Sequence, residues 1–137
     1  MTMQLHAGDI RVLVADDQED SRSVLAVFFR LRGYRVRAAA DGQEALEIAR
    51  EFRPDIVFLD WWMPRMTGLE ACYRMREGPC PPSVPIYAVT ADATVVGTAR
   101  CFTDVLLKPL DLESLEQLIT GTEAARAEQQ SPSARPS

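Results

Sequence analysis

Residues 56–70 read Ile-Val-Phe-Leu-Asp-Trp-Trp-Met-Pro-Arg-Met-Thr-Gly-Leu-Glu, four uninterrupted apolar residues running into the carboxylate of Asp60. An apolar run without polar alternation predicts a strand covered on both faces, the usual condition of a parallel sheet. Four further runs of strand length surround it, Ile10–Ala15, Tyr34–Ala40, Val84–Val89 and Val105–Leu107. The stretches between them carry helical spacing: Val24, Leu25, Phe28 and Leu31 in the first, Ala45, Leu46, Ala49 and Phe52 in the second. A third helix is predicted over about Gly68–Arg76, and a last one after an N-cap at Asp111, with Leu112, Leu115, Leu118 and Ile119 on one face. Asp41-Gly-Gln-Glu44 supplies a cap and an acid three residues on, and Gly33 stands where a helix C-terminus expects glycine. Strands alternating with helices over short connections predict an α/β doubly wound parallel sheet with helices on both faces.

The 137 residues suit one domain, and 47% apolar with 26% charged residues excludes a disordered chain. A net charge of −5 with no basic cluster argues against nucleic-acid binding by this chain alone. Cys72, Cys80 and Cys101 form no CxxC pair and only one histidine is present, so a zinc site is not expected and reduced thiols in a cytoplasmic setting are. The first residues show no basic-then-apolar leader, and no apolar run approaches the length of a membrane span. From Thr120 onward large apolar residues give way to Ser and Pro, which predicts a flexible tail over 121–137, as residues 1–9 predict an extension before the fold.

In an open parallel sheet, ligands bind beyond the carboxyl ends of the strands, so the residues ending each run carry the information. These are Asp16 and Asp17, Asp60, Thr90, and Lys108 followed by Pro109. Three carboxylates within about 5 Å would repel by roughly 3 kcal/mol per pair at an effective dielectric near 20, which a hard dication would offset. Oxygen-only donors point to Mg2+. A carboxylate is also a competent nucleophile toward phosphorus, with the metal, Lys108, the Thr90 hydroxyl and the Ala91 amide available to the transferring oxygens. Each residue alone has a plainer reading: Asp16 and Asp17 as helix caps, Asp60 as a loop acid, Thr90 as a strand-end hydroxyl, Lys108 as a solvated cation. Their coincidence at strand ends outweighs those readings.

The set Asp16-Asp17, Asp60-Trp-Trp-Met-Pro-Arg-Met-Thr-Gly-Leu-Glu70, Thr90-Ala91 and Lys108-Pro109 resembles the receiver domain of two-component response regulators, over roughly residues 10–120. The D-x-x-M-P-x-M-x-G-x-E stretch carries most of the specificity, and intervals of 43 residues from Asp17 to Asp60 and 30 from Asp60 to Thr90 accord with it. The resemblance implies a flavodoxin-like five-stranded sheet in order 2-1-3-4-5 and a stand-alone receiver switched by phosphorylation, promoting only its own phosphotransfer and autodephosphorylation. By the same implication Asp60 is the phosphoacceptor, and Asp17, Asp60 and the Trp62 carbonyl bind Mg2+, with Asp16 acting mainly through metal-bound water. Lys108 then pairs with the phosphoryl group, Thr90 senses it, and the Lys108–Pro109 peptide is cis. A sensor histidine kinase or histidine phosphotransfer protein is the implied donor, with a downstream protein that the sequence does not name.

Two alternatives stand beside this reading. A phosphatase resembling the haloacid dehalogenase group also uses an Asp nucleophile with Mg2+, but position 62 holds Trp where its second carboxylate would stand. A pseudo-receiver binding partners without phosphorylation is the other. It draws on the departure near the switch: Val105 occupies the place three before the lysine where receivers commonly carry Tyr or Phe. Phe102 is close in sequence but three positions earlier. Lys108 follows Thr90 by only 18 positions, and Val95-Val-Gly-Thr98 has poor helix propensity, so the fourth of the family's helices is predicted short or irregular.

Overall fold

The alternation of apolar runs becomes β1 (Arg11–Ala15), α1 (Glu19–Leu31), β2 (Arg35–Ala39), α2 (Gly42–Phe52), β3 (Ile56–Asp60), α3 (Gly68–Arg76), β4 (Ile86–Thr90), β5 (Asp104–Leu107) and α4 (Leu112–Gln130). This is a computed structural model of the chain, and it describes residues 10–97 and 100–130. All pairings are parallel, in the order β2-β1-β3-β4-β5. Every residue of β3 and β4 is buried, as their unbroken apolar character requires. The register aligns the strand ends: Ala15 lies opposite Leu59, Asp60 opposite Val89, and Thr90 opposite Leu107. Asp16, Asp60, Thr90 and Lys108 therefore arrive at one edge of the sheet.

One core lies under α1 and α4, where the Phe29, Phe58 and Tyr87 rings meet at centroid distances of 5.2 and 5.5 Å. The other lies under α2 and α3, with Leu46, Trp61, Met63, Met66, Met75 and Phe102. Local signals hold at the helix ends. The Asp41 carboxylate accepts the Glu44 amide at 2.8 Å, while the Glu44 carboxylate reaches back to the Ala40 amide at 2.7 Å. Gly33 has φ 88°, with its amide on the Arg30 carbonyl and the Tyr34 amide on that of Phe29, the paired bonds of a left-handed helix terminus.

Three expectations change. The buried face of α1 is Leu25, Ala26, Phe28 and Phe29, whereas Val24 and Leu31 are 58% and 81% exposed. Seven of the eight residues from Val24 to Leu31 are apolar, so periodicity allows several faces, and burying the two phenylalanines removes more apolar surface from water. On α4 Leu115 and Ile119 are buried and Leu118 half-buried, but Leu112, in the first turn, is exposed. The same helix carries on through Gln130, overtaking the first part of the predicted tail. Good helix formers such as Glu123-Ala-Ala-Arg-Ala extend it, and Arg32–Glu116 and Tyr34–Glu123 contacts hold it against the α1–β2 corner. The predicted N-terminal extension and residues 131–137 lie outside the described residues.

Between β4 and β5 the described residues form a single 3-10 turn, Ala93–Val95, in place of a full helix, as the short interval predicts. Thr98, within the poor helix sequence named above, lies outside the described residues. β5 is an edge strand whose outer residues Asp104 and Leu107 are exposed.

Candidate functional site

Asp16, Asp17 and Asp60 each bring a carboxylate oxygen within 4.8 Å of the other two. Asp16 and Asp60 are buried and Asp17 is exposed, so the cluster opens to solvent on one side. The capping reading of the first pair fails. Gln18 is the N-cap of α1 and makes no side-chain cap bond, while Asp16 turns one oxygen to the Gln18 amide at 2.9 Å and the other to Lys108. The Lys108 ammonium lies 3.0 Å from Asp16 and 3.7 Å from Asp60, bridging two carboxylates that would otherwise repel. The Lys108–Pro109 peptide is cis, as the resemblance implied.

Burial, followed by the negative charge of Asp16 and opposed by Lys108, pushes the Asp60 carboxyl up to about 7. One ammonium thus incompletely neutralises three acids. An oxygen-only donor set with this excess of negative charge and an open side fits Mg2+. The Thr90 hydroxyl is buried and accepts the Asp92 amide at 3.1 Å, which ties it to the first turn of the β4–β5 segment, and Ala91 is exposed beside it. The Lys108 amide bonds to the Thr90 carbonyl at 2.8 Å, so the two phosphoryl-binding candidates are fixed to each other through the backbone.

The loop after Asp60 is shaped by close approaches that the sequence did not reveal. A Cβ on Gly68 would lie 2.3 Å from the Asp60 carbonyl oxygen, and one on Gly42 2.3 Å from that of Met66. The Gly68 amide donates to the Trp61 carbonyl at 2.9 Å. Arg65, at φ 67°, clasps the Asp41 carboxylate with Nη2 at 2.7 Å and Nε at 3.2 Å, joining this loop to the start of α2. The motif glycine thus packs on the phosphoacceptor candidate's backbone while the motif arginine anchors the loop to α2, roles only tertiary contact exposes.

Trp61 is buried and its ring lies 5.3 Å from that of Phe102, whereas Trp62 is 57% exposed. The Trp62 amide points to the Asp60 carboxylate at 3.4 Å. Val105 is half-buried and packs on the same core that contains Phe102, so the two switch candidates share one side of the sheet. The aromatic ring on that side comes from position 102, not 105.

The family model of the response regulator receiver domain matches residues 12–120, and the chain belongs to that family. It is a two-component receiver, a signalling module rather than a classical enzyme. It is 39% identical over 110 residues to the response regulator MprA of Mycolicibacterium vanbaalenii, covering 77% of this chain and 47% of MprA. The chain spans half or less of the length of the curated relatives it matches. Among solved structures, the receiver domain of the Pseudomonas aeruginosa sensor histidine kinase PA1611, with magnesium in its active-site cleft, superposes with a TM-score of 0.75 at 28% identity, over 84% of this chain and 98% of that one. The receiver domain of Saccharomyces cerevisiae Ssk1, in complex with the histidine phosphotransfer protein Ypd1, gives 0.77 at 28% identity over 86% and 91%. No helix among the described residues is long and apolar enough to cross a membrane.

Proposed function

We propose that Asp60 accepts a phosphoryl group and that Mg2+ is held by Asp16, Asp17, Asp60 and the Trp62 carbonyl. The observation that carries this reading is the three-carboxylate cluster bridged by Lys108 at the carboxyl edge of the sheet. When bound, the metal offsets charge on the nucleophile and on the phosphoryl oxygens. Asp60 forms the new bond to phosphorus as the donor's leaving group departs with its electron pair. Lys108 turns from Asp16 toward the phosphoryl oxygens, and the Thr90 hydroxyl and Ala91 amide donate to them. Thr90 is bonded to Asp92, so its shift is passed to the segment leading to Phe102 and Val105 rather than to a ring at position 105. That segment makes the partner-binding switch. By likeness to the Ssk1 complex, a histidine kinase or phosphotransfer protein is the donor, and the receiver lies over about residues 10–120.

The test is intact-mass analysis with acetyl phosphate. One phosphoryl adduct on the Asp60 peptide is expected with Mg2+ and none with EDTA; an adduct of equal yield in EDTA, or on another residue, would sink the reading. Trp62 follows Asp60 by two positions and its ring is exposed, which supports reading it as a shield of the acyl phosphate against water. Trp62→Ala is therefore expected to shorten the phosphorylated lifetime several-fold, and an unchanged dephosphorylation rate would refute the shielding.

A further inference from the structure

Outside the site, the three cysteines converge on one core, a placement unrelated to their spacing at positions 72, 80 and 101. Cys72 on α3 and Cys80 in the loop after it are wholly buried among the residues under α2 and α3. Cys101, at the end of the irregular β4–β5 segment, packs against the same core but is only half-buried. Cys101 packs on the core that holds Cys72, and the two thiols interact side chain to side chain; burial, with that interaction adding to it, pushes the Cys72 thiol well up. The Cys80 thiol is pushed up to about 11 by burial, opposed by the charges of Arg76 and Arg53.

We propose that Cys72 and Cys101 are a thiol pair that a peroxide converts to a disulfide, tethering α3 to the segment that leads into β5. Cys101 is the thiol that solvent reaches, so it reacts first: its sulfur takes one peroxide oxygen as the O–O bond breaks, giving a sulfenic acid and releasing water or an alcohol. The Cys72 sulfur then attacks that sulfur, the S–S bond forms, and hydroxide leaves with the Cys72 proton as water. Two thiols lose two electrons and two protons, and the peroxide is reduced. The reluctance of Cys72 to ionise makes the second step the slow one.

The tether falls on a segment whose described residues form one 3-10 turn and otherwise no helix or strand before β5. Phe102 follows Cys101 and rests on Trp61, which follows Asp60, so packed rings link the thiol pair to the phosphoacceptor candidate. A disulfide that fixes Cys101 therefore restrains the rearrangement of the β4–β5 segment and slows phosphoryl uptake. This second effect rests on the reading of Asp60 given above.

The experiment treats the full chain with hydrogen peroxide and compares wild type, Cys101→Ser and Cys80→Ala, with Cys101 chosen because it is the least buried of the three. Wild type and Cys80→Ala are expected to lose the mass of two hydrogens, to yield a linked Cys72–Cys101 peptide, and to take up phosphate from acetyl phosphate several-fold more slowly until dithiothreitol is added. Cys101→Ser is expected to do none of these. Loss of two hydrogens in Cys101→Ser, a link involving Cys80, or only intermolecular links would overturn the pair. A Cys72–Cys101 link with unchanged uptake would overturn the restraint. Reduced protein that takes up no phosphate at all would instead overturn the reading of Asp60, and the peptide map would still decide the disulfide by itself.

Discussion

Asp60→Asn is expected to abolish phosphoryl uptake and, in EDTA at pH 8, to make the protein more stable than wild type. The first effect follows because an amide oxygen is a poor nucleophile and Asp16 and Asp17 are held by other contacts or by solvent. The second follows from linkage. The Asp60 carboxyl is raised from 3.8 to about 7 in the folded protein, so the fold favours its protonated form. A group raised in this direction contributes stability that is fully present below about pH 4 and lost as pH rises through 7. At about 1.4 kcal/mol per pH unit the loss is on the order of 4 kcal/mol in all, of which about 3 kcal/mol, or about 10 °C in Tm for a domain of this size, falls between pH 5 and pH 8. The amide does not titrate, so thermal melts in EDTA between pH 5 and pH 8 should decline in wild type and stay nearly level in the variant. Mg2+ should restore wild type at pH 8 and leave Asp60→Asn much less affected. A variant with the wild-type pH slope would show that the strain lies elsewhere in the cluster.

Gly68→Ala is expected to disturb the site without touching any of its side chains. The added methyl would sit 2.3 Å from the Asp60 carbonyl oxygen and about as close to nothing flexible, since its next neighbours are the Asp60 carbonyl carbon and the Trp61 Cα, both at 3.1 Å. Backbone cannot swing aside as a side-chain tip can. Either the loop after β3 retreats or Asp60 is pushed off the edge of the sheet, at about 3 kcal/mol, the upper part of the range for overpacking. Denaturant melts should report that loss, and phosphoryl uptake should fall at least tenfold in the fraction that remains folded. Gly78→Ala is the control, because a methyl there meets nothing within 4 Å. Equal stability of the two variants would mean that the loop yields freely.

The Gly68 contact also marks a boundary of what the sequence makes legible. The two-sided apolar runs made β3 and β4 visible, and the Asp41 cap and Gly33 marked helix ends, because each of those signals is local. The residues terminating the runs could be named as a site since parallel strands in register bring their ends together. Which face α1 would bury was not legible, because Val24 to Leu31 is apolar nearly throughout and only the Phe58 and Tyr34 rings select Phe29. The length of α4 was obscured by composition, which registers the absence of large apolar residues but not the hold of Tyr34 and Arg32 on Glu123 and Glu116. Gly68 stands within the motif, yet its reason is a distance to Asp60 that no spacing reveals. The ring partner of Trp61 was equally hidden, since Phe102 reaches it from a segment without periodicity.

β5 ends the sheet order and pairs only with β4 among the described residues, and an unpaired strand margin is a template on which another chain can add. Here that template is curtailed. β5 has four residues, its exposed first residue is the anion Asp104, and Pro109, which lacks an amide hydrogen, stands two positions beyond Leu107. The margin therefore offers too few successive backbone groups for sustained ladder growth, and the molecule can expose this flank while resisting the open-ended self-association that a longer, flatter strand would invite.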